Sequence, residues 1–283
     1  MRISGRKIAR RMEERIRDEL QELEVSPQVA LLQVGSHPAI DSFVRIKQKV
    51  AERVGITLVH HQLAHDVTTQ DVLDEIGLLI RTELAGGVKK YDGLVVQLPL
   101  APHIDEEVVL SAVPRVLDID VLSATAQEHM YEDGVFPPVV GAIRAILREA
   151  RVDLRKSSVA VIGEGKLVGG PVIAWLRAQG VDPEVVTATA GDVAEAVGRN
   201  HVVVSGVGKP GLITPDMVGA THILIDAGTS ESGGVVVGDI DPACYEICKA
   251  YTPVPGGVGP ITVSVLFSNL VSRLQSRHDD VVE

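Results

Sequence analysis

Aromatic residues are scarce: Phe, Trp and Tyr make up 3% of the 283 residues. A surface that stacks successive nucleobases on rings is therefore not expected. Only two cysteines occur, Cys244 and Cys248, which excludes a disulfide scaffold and suits a reducing compartment. Positive charge is also short. Lys and Arg number 27 against 38 Asp and Glu, a formal net charge of −11, so the basic footprint of a nucleic-acid binder is missing. No run of 18 apolar residues is present, and no membrane-spanning helix is expected. The N-terminal stretch Met1 to Leu23 is dense in charges of both signs and lacks the apolar core of a secretory signal; the cytoplasm is the expected location. Neither a P-loop nor G-x-S-x-G occurs. His61 and His65 have H-x-x-x-H spacing, but they straddle a strand end without acidic or cysteine ligands. The histidines read as surface residues and no metal site is expected.

What is present is alternation. In residues 7–24, Ile8, Met12, Ile16 and Leu20 recur at four-residue steps on a charged background, which predicts an amphipathic helix. Strands are predicted over 28–34, 56–62 and 92–98. Helices are predicted over 39–54, ended by Gly55, and over 69–86, ended by Gly86-Gly87. This β–α alternation points to a parallel α/β sheet. Residues 99–138 are irregular and contain Pro99, Pro102, Pro114, Pro137 and Pro138, which places a domain junction near the end of the stretch; 140–151 reads as a linking helix. A second series follows, with strands over 158–163, 184–189, 201–205 and 221–226 and helices over 168–180, 192–199 and 241–250. The last helix spans 261–276, with a frayed acidic end from His278. Cys244 and Cys248 then share a helix face as semi-buried thiols.

Five constellations could carry chemistry. Gly163-Glu-Gly165-Lys-Leu-Val-Gly169 joins a strand to a helix, a geometry that offers backbone N–H groups to a phosphate. Its spacing is one residue longer than the usual dinucleotide fingerprint. The acidic ribose ligand expected about 20 residues on is poorly placed, since Asp182 and Glu184 precede or begin the next strand. Phe43 and Lys47 share a helix face; alone, Lys47 reads as solvated unless a strand end aims a partner at it. Gln97 supplies such a strand end, where ligands of α/β sheets gather, and would be left desolvated unless paired. Asp118 and Asp120 point to one side if the chain is extended, though spacing alone favours an ordinary acidic loop. Finally, Tyr251-Thr-Pro-Val-Pro255-Gly256-Gly257-Val-Gly-Pro260 is stiff at its prolines and open to close approach at its glycines.

These segments together resemble the methylenetetrahydrofolate dehydrogenase/cyclohydrolase family over nearly the whole chain. The most specific pieces are Tyr251 to Pro260, Val95-Val-Gln-Leu-Pro-Leu100, Gly206-Val-Gly-Lys-Pro-Gly211 and Val236-Val-Gly-Asp-Ile-Asp241. The resemblance implies two α/β domains flanking a cleft: a folate-binding catalytic domain over 1–139, completed by 259–283, and a Rossmann-type dinucleotide-binding domain over 140–258. It implies oxidation of 5,10-methylenetetrahydrofolate to the methenyl form with NAD(P), then hydrolysis to 10-formyltetrahydrofolate, by a homodimer. Carried over by motif, Lys47 is the catalytic lysine, Gln97 the glutamine orienting it, and Asp120 the carboxylate holding the pterin. Phe43, Leu98, Pro255, Gly256 and Gly257 line the folate. Gly163, Glu164, Gly165, Ala188, Gly206, Gly208 and Thr229 face the dinucleotide.

The chain departs from the family at three places. Phe43 stands for the family's Tyr. Asp118-Ile-Asp120-Val121 stands for Asp-Val-Asp-Gly, and Phe136-Pro-Pro-Val-Val-Gly141 for Pro-Cys-Thr-Pro-x-Gly. NADP is the family default. NAD is a rival, because Glu164, Gly165 and Ala188 stand where NADP-preferring members often carry Arg or Ser, and a carboxylate repels a phosphate. Two narrower readings stay open: a dehydrogenase whose hydrolysis is impaired by Phe43, and a folate or nucleotide binder without turnover.

Overall fold

The computed structural model describes residues 1–84, 87–187, 192–232 and 235–282. The chain divides into two compact units, Met1–Arg10 with Pro138–Thr262, and Arg11–Pro137 with the chain from Val263 onward. Helix α1 (Gly5–Glu22) leads into β1 (Gln28–Val34), α2 (Pro38–Val54), β2 (Thr57–Leu63), α3 (Thr69–Arg81) and β3 (Gly93–Val96). The three strands form a parallel sheet in the order β2-β1-β3. Central β1 is apolar on both faces because both faces are covered. Val29 and Leu31 join a core with Ile16 and Leu20 of α1, Val44 and Val54 of α2, and Phe267 and Leu270 near the C-terminus. Ala30, Leu32 and Val34 point the other way, into a core with Val72, Ile76 and Leu79 of α3. Gly55, at φ 84°, supplies the left-handed residue that stops α2.

Short helices α4 (Glu106–Ser111), α5 (Ala124–Glu128) and α6 (Met130–Asp133) fill the proline-rich stretch. The other unit contains α7 (Pro138–Glu149), β4 (Val159–Ile162), α8 (Gly169–Ala178), β5 (Glu184–Val186), α9 (Val193–Arg199), β6 (Val202–Ser205) and β7 (Ile223–Asp226). The hairpin β8 (Ser230–Ser232) and β9 (Val235–Val237) follows, then β10 (Ala250–Tyr251) and the start of α10 (Val258–Val282). Its sheet is parallel, in the order β10-β7-β6-β4-β5. Counted within the unit this is 2-1-3-4-5, the doubly wound order whose switch point lies between the first and third strands, here β4 and β6. The N-terminus adds to this unit: Tyr251 N–H donates to Met1 O and Ile3 N–H to Tyr251 O.

Three sequence expectations are corrected. The helix expected over 69–86 ends at Arg81. Thr82 takes extended backbone, and Glu83 pairs with Lys89 in an isolated antiparallel bridge. The helix expected over 241–250 is a 3₁₀ turn, Pro242–Glu246, followed by β10. Pairing with β7 satisfies the backbone of 250–251 better than another helical turn would. Cys244 and Cys248 are buried core thiols, and burial pushes the Cys244 thiol up to about 11. Lastly, α10 runs to Val282, past the expected frayed end.

Candidate functional site

On the unit holding the three-stranded sheet, α2 and the end of β3 bring three predicted residues together. Gln97 follows directly after β3, and its N–H donates to Leu32 O on β1. Its side chain is 7% exposed. The Nε2 donates to Leu98 O at 2.6 Å, which leaves Oε1 facing α2. There it accepts from Lys47 Nζ at 3.1 Å. Asp120 Oδ2 lies 3.7 Å from the same Nζ, an ion pair longer than a hydrogen bond. The lysine and aspartate side chains are 14% and 17% exposed. This is a cation with two partners, one neutral and one anionic, and a narrow opening to solvent. Phe43 lies one turn earlier on α2 and is exposed. Leu98 is half-buried and joined to Pro99 by a cis peptide.

The segment carrying Asp120 is held from behind. Leu94 N–H donates to Leu117 O at 2.7 Å, so 117–118 extends the β3 edge. Asn269 on α10 donates through Nδ2 to Ile119 O and Phe136 O, both at 2.9 Å, and its Oδ1 accepts from Phe136 N–H. Asp118 does not share a side with Asp120, as extended backbone would require. It is 3% exposed and accepts from Ser123 N–H, Ser123 Oγ and Leu122 N–H. Burial pushes its carboxyl up, against the pull of the Ser123 hydrogen bonds. The divergence arises because the chain bends at 119–120 instead of staying extended. Asn269 escaped the sequence reading, although a lone amide on an apolar helical face is a usable signal of a buried polar contact.

The histidines of β2 are also corrected. They are half-buried rather than on the open surface, with His60 against Gln33 Oε1 and His61 against the Tyr91 hydroxyl.

On the other unit, the remaining candidates gather at the carboxyl ends of β4, β6 and β7, around the switch point. Gly163 has φ 96°, and a Cβ there would stand 3.1 Å from Gly206 O. A Cβ on Gly169 would stand 1.8 Å from Gly163 O, so the turn closes onto the first residue of α8 only with glycine. Glu164 and Gly165 are exposed, and a Cβ on Gly165 would meet open space. Gly208 has φ 77°, and its carbonyl accepts from Ser230 Oγ at 2.7 Å, next to exposed Thr229. This glycine cradle, with a helix N-terminus behind it, fits a dinucleotide phosphate. Glu184 is engaged elsewhere: Arg199 and Asn200 hold it, and their hydrogen bonds pull its carboxyl below the usual range. Pro255, Gly256 and Gly257 also belong to this unit, Gly256 at φ 105°. Ala188 lies outside the described residues. Sequence reasoning passed over the buried carboxylates Asp226 and Asp239, which are 1% and 0% exposed; an acidic residue closing the apolar run of β7 was the available signal.

Residues 3–120 match the tetrahydrofolate dehydrogenase/cyclohydrolase catalytic domain, and residues 137–278 match the NAD(P)-binding domain of the same family. The chain is 32% identical to the Bifunctional protein FolD of Thermus thermophilus over 279 residues, 98% of this chain and 97% of that protein. The solved bifunctional FolD methylenetetrahydrofolate dehydrogenase/cyclohydrolase of Campylobacter jejuni superposes with a TM-score of 0.91, at 25% identity over 98% of this chain and 99% of that one. The Trypanosoma brucei methylenetetrahydrofolate dehydrogenase-cyclohydrolase, solved with NADP cofactor and an inhibitor, gives a TM-score of 0.89 at 28% identity over 98% of each chain. With both domains matched in order along the sequence, this chain belongs to the tetrahydrofolate dehydrogenase/cyclohydrolase family.

Proposed function

We propose that the chain is a bifunctional enzyme of one-carbon metabolism. It oxidises 5,10-methylenetetrahydrofolate to 5,10-methenyltetrahydrofolate with NAD(P), and hydrolyses the methenyl form to 10-formyltetrahydrofolate. The observation that carries the reading is the convergence of Lys47, Gln97 and Asp120 on one half-open spot of the unit matched by the family's catalytic domain. The catalytic domain comprises 1–139 completed by 259–283, and the dinucleotide domain 140–258.

Gln97 fixes the position of Lys47 Nζ, because its own amide N–H is already spent on Leu98 O. Lys47 sits against the reacting one-carbon bridge, where its N–H groups polarise the adjoining folate nitrogen. Asp120, beside Lys47, accepts from the donors of the pterin ring and so sets the ring's register. Phe43 and Leu98 supply apolar walls to the folate. Gly163, Glu164, Gly165, Gly206, Gly208 and Thr229 hold the dinucleotide, with its phosphates on the N-terminus of α8. A nicotinamide bound there supplies the one chemistry the chain lacks, acceptance of a hydride from the methylene carbon. For hydrolysis, Lys47 orients water toward the electron-poor methenyl carbon. The added water loses one proton, and the remaining hydroxyl proton passes to N5 as the bond from that carbon to N5 opens, leaving the formyl group on N10, a general acid–base sequence.

NADP is the cofactor proposed, supported by the family default and by the NADP bound in the Trypanosoma relative. NAD is the second reading, favoured by the exposed Glu164 carboxylate at the turn. The enzyme is placed in the cytoplasm as a homodimer, readings that cell fractionation and sedimentation test; among the described residues no helix is long and apolar enough to cross a membrane. The deciding experiment supplies methylenetetrahydrofolate with NADP or NAD and follows reduced-nucleotide absorbance, then follows loss of methenyltetrahydrofolate. Absorbance growth with neither cofactor overturns the dehydrogenase. Methenyl decay no faster than in buffer reduces the chain to a dehydrogenase alone, the outcome that Phe43 would explain.

A further inference from the structure

Two buried carboxylates stand behind the dinucleotide loops without belonging to the set assigned above. Asp239 Oδ2 accepts from Ser205 Oγ at 2.7 Å and from Val207 N–H at 2.8 Å; its Oδ1 accepts from Lys209 N–H at 2.8 Å. The loop leaving β6 is thus wrapped around one anion, with alternate residues donating inward and Gly206 and Gly208 left between them. Asp239 is itself held. Its N–H and that of Gly228 donate to Asp226 Oδ1, and Ile240 N–H donates to Asp226 Oδ2. The Asp226 N–H in turn donates to Thr252 Oγ1 at 2.8 Å. Space is tight throughout: a Cβ on Gly228 would stand 2.2 Å from Asp239 Oδ1, and one on Gly238 2.1 Å from Asp226 Oδ2.

Burying a carboxylate is costly unless its oxygens are satisfied. Here the satisfaction comes from loop backbone rather than from a cation, so the charge defines a loop shape. An apolar residue of equal size would leave the N–H groups of Val207 and Lys209 without acceptors and free the loop.

We propose that Asp239 is a positioning residue for the dinucleotide. Through Ser205, Val207 and Lys209 it holds the 205–209 loop in the form that receives the cofactor, and it therefore governs nucleotide affinity and dehydrogenation while leaving hydrolysis untouched. The inference rests on the reading of Gly206 and Gly208 as cofactor contacts. Hydrolysis of the methenyl group consumes water and no redox partner, so the second reaction serves as an internal control for the fold.

The test compares Asp239→Asn and the milder Ser205→Ala with the unaltered enzyme. NADPH dissociation constants are read by nucleotide fluorescence, dehydrogenase KM for NADP and kcat separately, and cyclohydrolase rates without nucleotide. Asn presents an N–H₂ where one donor of the loop points, so about a tenfold rise in NADPH Kd and in KM is expected, with about threefold in Ser205→Ala. Hydrolysis should stay within about twofold of the unaltered rate. An unchanged Kd in folded Asp239→Asn overturns the proposal, as does equal loss of both activities in both variants, which would mark a role in folding alone. Hydrogen exchange of 205–209 in the unaltered enzyme, with and without NADP, separates the two layers. Protection with an unchanged variant Kd overturns the role of Asp239 only, whereas no protection overturns the cofactor-loop reading on which it stands.

Discussion

Val121 is a β-branched residue held at φ 54° with its side chain wholly buried, directly after Asp120 and where the family carries glycine. Two effects of opposite sign meet there. The isopropyl group packs with Ala126, Met130 and Val135. Cutting it to a methyl removes two carbons at about 0.8 kcal/mol each, and with a cavity term Val121→Ala costs about 2–3 kcal/mol. Val121→Gly also removes Cβ. In ordinary backbone that last step costs about 0.5–1 kcal/mol more. In left-handed backbone it removes a clash with the following carbonyl of about 1–2 kcal/mol. The lost burial of Cβ adds about 0.8 kcal/mol to the cost, so cost and relief nearly cancel, and Val121→Gly should be about as stable as Val121→Ala, against the usual order. Val135 is the control: it is fully buried in the same cluster and is not among the residues with positive φ. There the glycine variant should fall below the alanine variant by about 1.3–1.8 kcal/mol. Urea unfolding followed by circular dichroism on all four variants measures both differences. Glycine falling below alanine at 121 by the same margin as at 135 would refute the reasoning.

Three further outcomes are expected. Lys47→Met should cut hydrolysis by about 10²- to 10⁴-fold with an unchanged circular dichroism spectrum; an unaltered rate removes the role assigned to Lys47. Phe43→Tyr returns a hydroxyl one turn before Lys47 and should raise hydrolysis about two- to tenfold, matching a bond of about 0.5–1.5 kcal/mol; a lower rate would mean the site is built around the phenyl ring. Burial pushes the Asp226 carboxyl from 3.8 up to about 6. The unfolded chain therefore loses this proton first, and the carboxyl's contribution to stability falls as pH rises from about 4 to about 6. The stability of the unaltered protein relative to Asp226→Asn should accordingly drop by about 2.4 kcal/mol between pH 4 and pH 7. Paired urea titrations at several pH values measure it, and a flat difference contradicts the burial argument.

The parts legible in the sequence were those with a local cause. The apolar runs of β1 and β3 marked buried parallel strands because both sheet faces are covered, and Gly55 marked the end of α2 because only a left-handed residue fits there. Gln97 stood out as a polar side chain closing an apolar run, and pairing with Lys47 is the contact its desolvation calls for. What the sequence hid was set at long range. The 250–251 segment becomes strand because β7 offers a free edge, which no local propensity announces. Asp118 and Asp120 diverge because the chain bends at 119–120, which the alternation of acidic and apolar residues does not announce. Asn269 lies about 150 positions from the carbonyl it grips, beyond any window of periodicity.

The discontinuity of the two units also bears on synthesis. The core beneath Lys47 includes Phe267, Leu270 and Val271, and Tyr251 receives its edge partners from the first three residues. A nascent chain emerging from the ribosome thus carries both units unfinished until residues 251–271 have been made. Long-separated contacts of this kind slow folding, so the waiting segments, apolar β1 above all, would be the natural targets of holding chaperones during that interval.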